Sequence, residues 1–448
     1  MTNDAAVRNQ TPHDLGDGLV LRCGTLSDIE AVAALNGELH ADSPQTFSAG
    51  IAAWTRDLMN GTHPLYQACD WTVVEDTRSG RIVSTMCLLS QVWAYSGIPF
   101  GVGRPELVGT LPEYRRRGLV RAQLTVLHEW SARRGELVQG ITGIPWYYRQ
   151  FGYELGGLTL GGAQTGYLPL VPELPAGTEE PFSVRDAAER DLSFIGDLYR
   201  QRILRDRVAC IRDEAVWRYE LDRRDPSSEV AVRLAVLAST DGTPVGYLAH
   251  AGHLRNGAIL LGEYELIPKT SWAAATPVVI RYLAARGAEY AARDGQQFKS
   301  YSFGLGSVHP SYEVAAEHLP HVRMPYAWYL RVPDIPLFLQ HIAPSLELRL
   351  AASSWAGHTG QLNISFYREG IRLAFTEGRI TALSWNQVPD DRRDAAFPGL
   401  TFLQLVFGYR ALDEISYAFA DCQARSDGSK ALLNALFPKQ ASNIWAVA

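Results

Sequence analysis

The segment Leu107–Tyr153, LVGTLPEYRRRGLVRAQLTVLHEWSARRGELVQGITGIPWYYRQFGY, constrains the fold more than any other stretch of the chain. Leu107 and Val108 are β-type residues, Pro112 ends that run, and the next apolar positions, Val120, Leu124 and Leu127, share one face of a helix. The segment therefore reads as strand, tight basic turn, amphipathic helix, second strand, short helix and return. Gly118 stands where the helix begins. The first amides of a helix have no internal partner and carry the positive end of its macrodipole, so a turn of this shape receives phosphate oxygens. Arg115, Arg116 and Arg117 add guanidinium groups, which pair with phosphates in a fork geometry. A basic turn by itself is also the ordinary mark of solvated surface, so a second element is needed.

Two motifs supply it. Arg115-Arg116-Arg117-Gly118-Leu119-Val120 resembles motif A of the GNAT acyltransferase superfamily, which holds the pyrophosphate of acyl-coenzyme A. Of the usual Arg/Gln-x-x-Gly-x-Gly/Ala pattern, Arg115 and Gly118 are in register, while Val120 stands where Gly or Ala is usual. The Arg-Arg-Arg-Gly-Leu opening is similar to the Eis branch, in which a bulky residue occupies that place. Tyr148-Arg149-Gln150-Phe151-Gly152-Tyr153 matches the Tyr-x-x-Phe-Gly-Tyr/Phe element that closes such domains. The resemblance implies acetyl-CoA as co-substrate. Its seat would be the backbone of Val108, Gly109 and Thr110, against which the pantetheine lies as an added strand. The turn Arg115, Arg116, Arg117, Gly118, Leu119 and Val120 would hold the phosphates.

At 448 residues the chain exceeds one ordinary core, and two or three domains are expected. With 46% hydrophobic and 20% charged residues it has material for a core, and no apolar run reaches the roughly 18 residues that span a bilayer. Residues 1–18 are polar, lack the apolar centre of a secretory signal, and read as a flexible leader. Residues 19–169 form the first unit. VLRCG is its first strand, TLSDIEAVAALNGELH a helix, and WTVVED and IVSTMCLLSQVWAY hairpin strands joined at Thr77–Gly80. That order, followed by the phosphate turn, is the order of a GNAT fold. Leu170–Pro181 reads as a linker. Residues 184–330 repeat the outline, with VRDAAERDLSFIGDLYRQRIL as the helical entry, but Pro268-Lys269-Thr270-Ser271-Trp272 replaces the basic turn and has no glycine, so no open amide cradle is expected. Residues 331–448 run as a helix from Val332, meandering strands, then helices, an α+β layer. They resemble the sterol-carrier-protein-like C-terminal domain of Eis acetyltransferases. The expected fold class is thus mixed α/β and α+β: two GNAT-type domains, the second degenerate, then a sterol-carrier-protein-like domain.

N-acyl transfer needs a bound thioester, a deprotonated amine, a donor to its carbonyl and a proton for the departing thiolate. By its place in the family element, Tyr148 is the candidate general acid; an ordinary phenol is neutral at pH 7 and can donate. Tyr147 is its rival if the register shifts by one, and aromatic packing is the alternative for both. Two carboxylates compete as general base. Glu106 precedes the cofactor strand, as a catalytic glutamate does in some GNAT enzymes, and reads equally as a turn-capping group beside Arg104 and Pro105. In the Eis family the terminal carboxylate enters the site, which here is that of Ala448. The ending FPKQASNIWAVA keeps Phe437-Pro438 but lacks the acidic-aromatic finish usual there. His128 reads as a surface histidine. Asp28, Glu30, Glu38 and Asp42 would make the pocket acidic enough for polyamines or aminoglycosides, or else form a solvated helix face. Trp54, Trp93 and Tyr95 are either acceptor walls or core.

The remaining composition narrows the class. A net charge of −6 argues against nucleic acid as principal ligand and favours a small cationic amine. Cys23, Cys69, Cys87, Cys210 and Cys422 are scattered without metal-ligand or disulfide spacing, which fits a reduced cytoplasm. His309 and His358 have no ligand partners at fixed spacing, so no metal is expected. No Cys or Ser stands in an activated setting, so the amine would attack directly. The family resemblance implies a homo-oligomer, and no membrane partner is expected. The alternative is a non-catalytic acyl-CoA- or lipid-binding protein on the same scaffold.

Overall fold

A computed structural model describes residues 12–43, 45–160, 162–388 and 392–444, without the side chains of 157–160. Most of the expected leader, residues 1–11, lies outside the described residues. Its last part is a strand: His13–Gly16 (β1) folds back on Leu19–Cys23 (β2) through a tight turn with positive φ at Gly16, Asp17 and Gly18.

The first sheet continues with Trp71–Asp76 (β3), Arg81–Tyr95 (β4), Ile98–Thr110 (β5), Val138–Ile141 (β6) and Glu154–Leu160 (β7). Helices Ile29–Leu39 (α1) and Ala49–Met59 (α2) connect β2 to β3, and Leu119–Arg133 (α3) connects β5 to β6. α3 repeats apolar residues at helical spacing, and Leu124, Leu127 and Trp130 are buried with Trp71, Val73, Val83 and Met86 of the sheet.

After Leu160 the chain crosses to a second sheet. Its strands are Ala163–Tyr167 (β8), Phe182–Asp186 (β9), Val232–Ser239 (β11), Pro244–Ala251 (β12), Ala258–Leu266 (β13), Ser300–Phe303 (β14) and His321–Arg323 (β15). Val208–Cys210 (β10) and Tyr326–Arg331 (β16) return to the first sheet. The orders are β1-β2-β3-β4-β5-β6-β16-β7, with β10 on β4, and β15-β8-β14-β13-β12-β11-β9. Sheet membership thus crosses the expected boundaries at three strands: β8 joins the second sheet, while β10 and β16 join the first. The helical reading of Val184–Leu204 is also corrected at its start: Phe182–Asp186 pairs with β11, and the helix is Leu192–Ile203 (α4), because the apolar positions of FSVRD alternate. Glu214–Arg218 (α5), Trp272–Asp294 (α6) and Pro310–Val314 (α7) complete this part.

The second sheet carries the same strand-helix-strand order as the first, β13-α6-β14, but its opening is filled. The Ser271 hydroxyl caps α6 by accepting from the Ala274 amide, 3.2 Å. His309 donates from Nε2 to the Tyr264 carbonyl, 3.0 Å, and its ring sits against Tyr264 and Trp272.

The third part begins with two helices rather than one, Ile335–His341 (α8) and Ala343–Ala351 (α9), since Pro344 cannot continue the first. Gly360–Ser365 (β17), Gly370–Thr376 (β18), Arg379–Asn386 (β19), Ala395–Ala396 (β20) and Gln423–Ala424 (β21) make a sheet ordered β19-β18-β17-β20-β21. Phe402–Val406 (α10), Leu412–Ala418 (α11) and Asp427–Leu436 (α12) follow; α10 packs on β7 of the first sheet, and α12 on β21 and α9. Its core is continuous with the far end of the first sheet: Trp93, Tyr95, Phe100 and Trp328 join Phe338, Phe402 and Phe407. The Tyr95 hydroxyl donates to the Val406 carbonyl, 2.6 Å, fixing one part to the other.

Candidate functional site

Two irregularities of β5 open the first sheet. β5 pairs with β6 only at Val102–Val138 and Gly103–Gln139, after which Gly140 and Ile141 turn to β16 and the β5 edge is left without a strand partner among the described residues. On its other edge the register with β4 slips between Thr85–Gly109 and Cys87–Glu106, so Leu107 and Val108 oppose Met86 alone. This is a β-bulge, and Leu107 adopts φ +50° to make it. The resulting cleft, about 850 Å³, runs from the turn before α3 to the segment after β6. Its lining includes Glu106, Val108, Gly109, Thr110, Arg115, Arg116, Gly118, Leu119, Val120 and Tyr148.

Arg116 (φ +63°) and Gly118 (φ +75°) both take left-handed conformations, and Gly118 caps α3 without any side-chain cap. The first amides of α3 are thereby left to a ligand at the positive end of the helix. Arg115 donates from Nε to the Thr110 carbonyl, 3.2 Å, which ties the turn to the strand. Arg116 makes no ion pair among the described residues. Arg117 is placed differently: it pairs with Asp17 at 2.8 Å, does not line the cleft, and so anchors the β1–β2 turn. Arg121 lines the cleft instead, stacked on Phe151 with its carbon 4.9 Å from the ring centre. Its signal in the sequence is one helical turn past Arg117. Tyr114 steadies the turn by donating to Asp76 Oδ2, 2.8 Å.

A buried polar network holds α3 to the strand. Ser84 donates to the Gly109 carbonyl (2.8 Å) and lies 2.7 Å from both Thr110 Oγ1 and Gln123 Oε1. The Gln123 amide in turn donates to Thr72. A Cβ at Gly109 would stand 2.7 Å from the tip of Leu39, which would have to shift to admit it.

At the other end Tyr148 is buried, 4% exposed, yet borders the cleft, and its hydroxyl has no hydrogen-bond partner among the described residues. Its ring packs edge-on to Tyr147 (5.1 Å) and Tyr329 (5.6 Å) and lies against Gly143, where any side chain would collide with it. Burial first, then the nearby Glu106 carboxylate, push the phenol well above its ordinary pKa, so it stays protonated and able to donate. Glu106 accepts from Arg104, 2.8 Å, and burial raises its pKa against the lowering effect of that arginine. Tyr147 also borders the cleft and is raised by burial. His40 is a lining residue the sequence reading missed; it follows α1, close to Gly109, and is exposed at the cleft.

Other candidates fall elsewhere. Ala448 lies outside the described residues. His128 bonds through Nε2 to the Tyr153 hydroxyl, 2.9 Å, and is partly buried rather than free on the surface. Asp28 is held by Arg22 and Glu30 by Arg56, while Glu38 and Asp42 do not line the cleft. Trp54 lines it; Trp93 and Tyr95 belong to the core shared with the third part. None of the five cysteines forms a disulfide, and among the described residues no group of His, Cys, Asp and Glu could hold a metal. No described helix is long and apolar enough to cross a membrane.

Comparison with known proteins agrees with this geometry. Residues 21–156 match the family described as acetyltransferase (GNAT) domain. No curated protein matches the sequence. A conserved Enterococcus faecalis protein of unknown function, described as a probable N-acyltransferase, is 14% identical, with TM-score 0.64, and the match covers 95% of this chain and 97% of that one. A GCN5-related N-acetyltransferase from Kribbella flavida is 17% identical at TM-score 0.60, covering 96% and 98%. Eis1 from Mycobacterium abscessus is 16% identical at TM-score 0.57, covering 95% and 99%. These likenesses concern the fold, which extends over nearly the whole chain. The phosphate-type turn, the bulged strand and Tyr148 all fall within the matched segment, so the chain carries a GNAT acetyltransferase domain over residues 21–156.

Proposed function

We propose that the chain is an acetyl-CoA-dependent N-acetyltransferase acting on an amine of a small or medium acceptor. The observation that carries this reading is one cleft with a bare helix terminus at one end and an unpartnered, protonated phenol at the other. The amides opening α3, with Arg115 and Arg116, would hold the diphosphate, and the free edge of β5 would align the pantetheine. The acceptor nitrogen attacks the thioester carbon, the C–S bond breaks, and Tyr148 gives its proton to the departing sulfur. The proton from nitrogen passes to a base, for which Glu106 and the Ala448 carboxylate are the proposed candidates, with His40 beside them. In this reading the second sheet is a degenerate GNAT-type unit, the third part is sterol-carrier-protein-like, and the assembly is a homo-oligomer.

Release of free thiol from acetyl-CoA in the presence of a panel of amines tests the proposal. The panel includes polyamines and aminoglycosides, the cationic acceptors suggested by the sequence. Amine-dependent thiol release is the expected result. Tight CoA binding with no turnover would assign the chain instead to acyl-CoA binding without catalysis.

A further inference from the structure

We propose that the acceptor half of this cleft takes a primary amine carried on an apolar or aromatic body rather than a polycation; this rests on the acetyltransferase reading above. Leu39 at the end of α1, Ile51 and Trp54 on α2, and Ile144 and Tyr147 after β6 border the cleft. Ile144 is 63% exposed there, an apolar side chain offered to solvent with a cavity beside it. Such a wall gains by covering apolar surface and, beyond the ring faces of Trp54 and Tyr147 and the hydroxyl of Tyr147, its side chains offer no hydrogen-bond acceptor to a hydrated ammonium group.

The charges point the same way. Among the described residues Glu106 is the sole carboxylate lining the cleft, and Arg104 already holds it at 2.8 Å. Of the four carboxylates that would have made the wall acidic, Asp28 pairs with Arg22 and Glu30 with Arg56, and Glu38 and Asp42 do not line the cleft. Three arginines, Arg115, Arg116 and Arg121, border the same cleft. Phosphates of the donor would neutralise the first two, and among the described residues no unpaired carboxylate is left at the cleft for a second or third ammonium. One amine can be accommodated, since it must lose its proton before it attacks. A spermidine-like chain would bring further cations into an apolar wall beside Arg121.

Thiol release by the full chain with acetyl-CoA is measured for 2-phenylethylamine, spermidine and kanamycin. The inference expects kcat/KM for 2-phenylethylamine to exceed that for spermidine by at least tenfold. Ile144→Asp, at an exposed position, should lower the first and raise the second, so that the ratio falls at least fivefold. Faster turnover of spermidine or kanamycin by the native chain would overturn the inference and leave the acetyltransferase reading standing, as would a ratio indifferent to Ile144→Asp. No thiol release with any of the three, while calorimetry shows CoA bound, would overturn the acetyltransferase reading and the inference with it.

Discussion

Tyr148 has its hydroxyl at the cleft and its ring locked by Gly143, Tyr147 and Tyr329. The family element marked this residue, but Gly143 and Tyr329 carried no sequence signal, since their role exists only once β16 lies beside β6. Replacing Tyr148 by Phe keeps the packing and removes the proton. We expect kcat to fall by about 10²- to 10⁴-fold with KM for acetyl-CoA nearly unchanged, measured by steady-state thiol release. An unchanged kcat would move the acid role to Tyr147. His40 shows the opposite limit of sequence reading: nothing in ELHADS distinguishes it, and only the approach of α1 to Gly109 brings it to the cleft.

The relation of strand β5 to helix α3 decides whether thioester and diphosphate are held together. The helix, its glycine start and the preceding strand were legible from residue periodicity and from Pro112 and Gly118. The bulge at Leu107 was not, because a left-handed leucine is imposed by the register against β4 and leaves no local mark. Ser84, Gln123 and Thr72, all at most 1% exposed, fix the spacing of the two elements. Gln123→Leu removes the acceptor beside Ser84 and the bonds donated to Thr72, although Ser84 keeps the Gly109 carbonyl and Thr72 keeps the Met86 carbonyl. The expected cost is about 1–3 kcal/mol in denaturant unfolding. A severalfold rise in KM for acetyl-CoA should accompany it, because the amides of α3 lose their alignment with Thr110. A change in stability without a change in KM would make the network structural only.

Across the whole molecule, the three parts are interlocked rather than strung together. Residues 19–169 contain the cleft's own segments but lack β16, whose Tyr329 is fully buried and accepts a hydrogen bond from the Trp146 amide. That fragment should therefore show no cooperative thermal transition, whereas the full chain should. Recurring strand and helix patterns suggested two units, but the exchange of β8 and β16 joins residues more than 130 positions apart, and no local periodicity records it.

His309 gives the molecule a predictable acid sensitivity. Burial lowers its pKa to about 3, against a modest favourable effect of the Tyr264 carbonyl. An unfolded chain binds that proton nearer pH 6.5, so the stabilisation is present at neutral pH and is lost as pH falls through 6.5 toward 3. The loss from this one group is about 2 kcal/mol at pH 5. His309→Asn should lower stability at pH 7 yet flatten the fall in melting temperature between pH 7 and pH 5. A parallel fall in both proteins would show that His309 is not the group responsible.

The central claim joins an amide-lined turn to a phenol across one cleft. A structure of the full chain with CoA bound tests it most directly. The account predicts the diphosphate on the amides that open α3, beside Arg115 and Arg116, with the CoA sulfur within about 3.5 Å of the Tyr148 hydroxyl. A diphosphate seated elsewhere, or a sulfur out of reach of that hydroxyl, would contradict it.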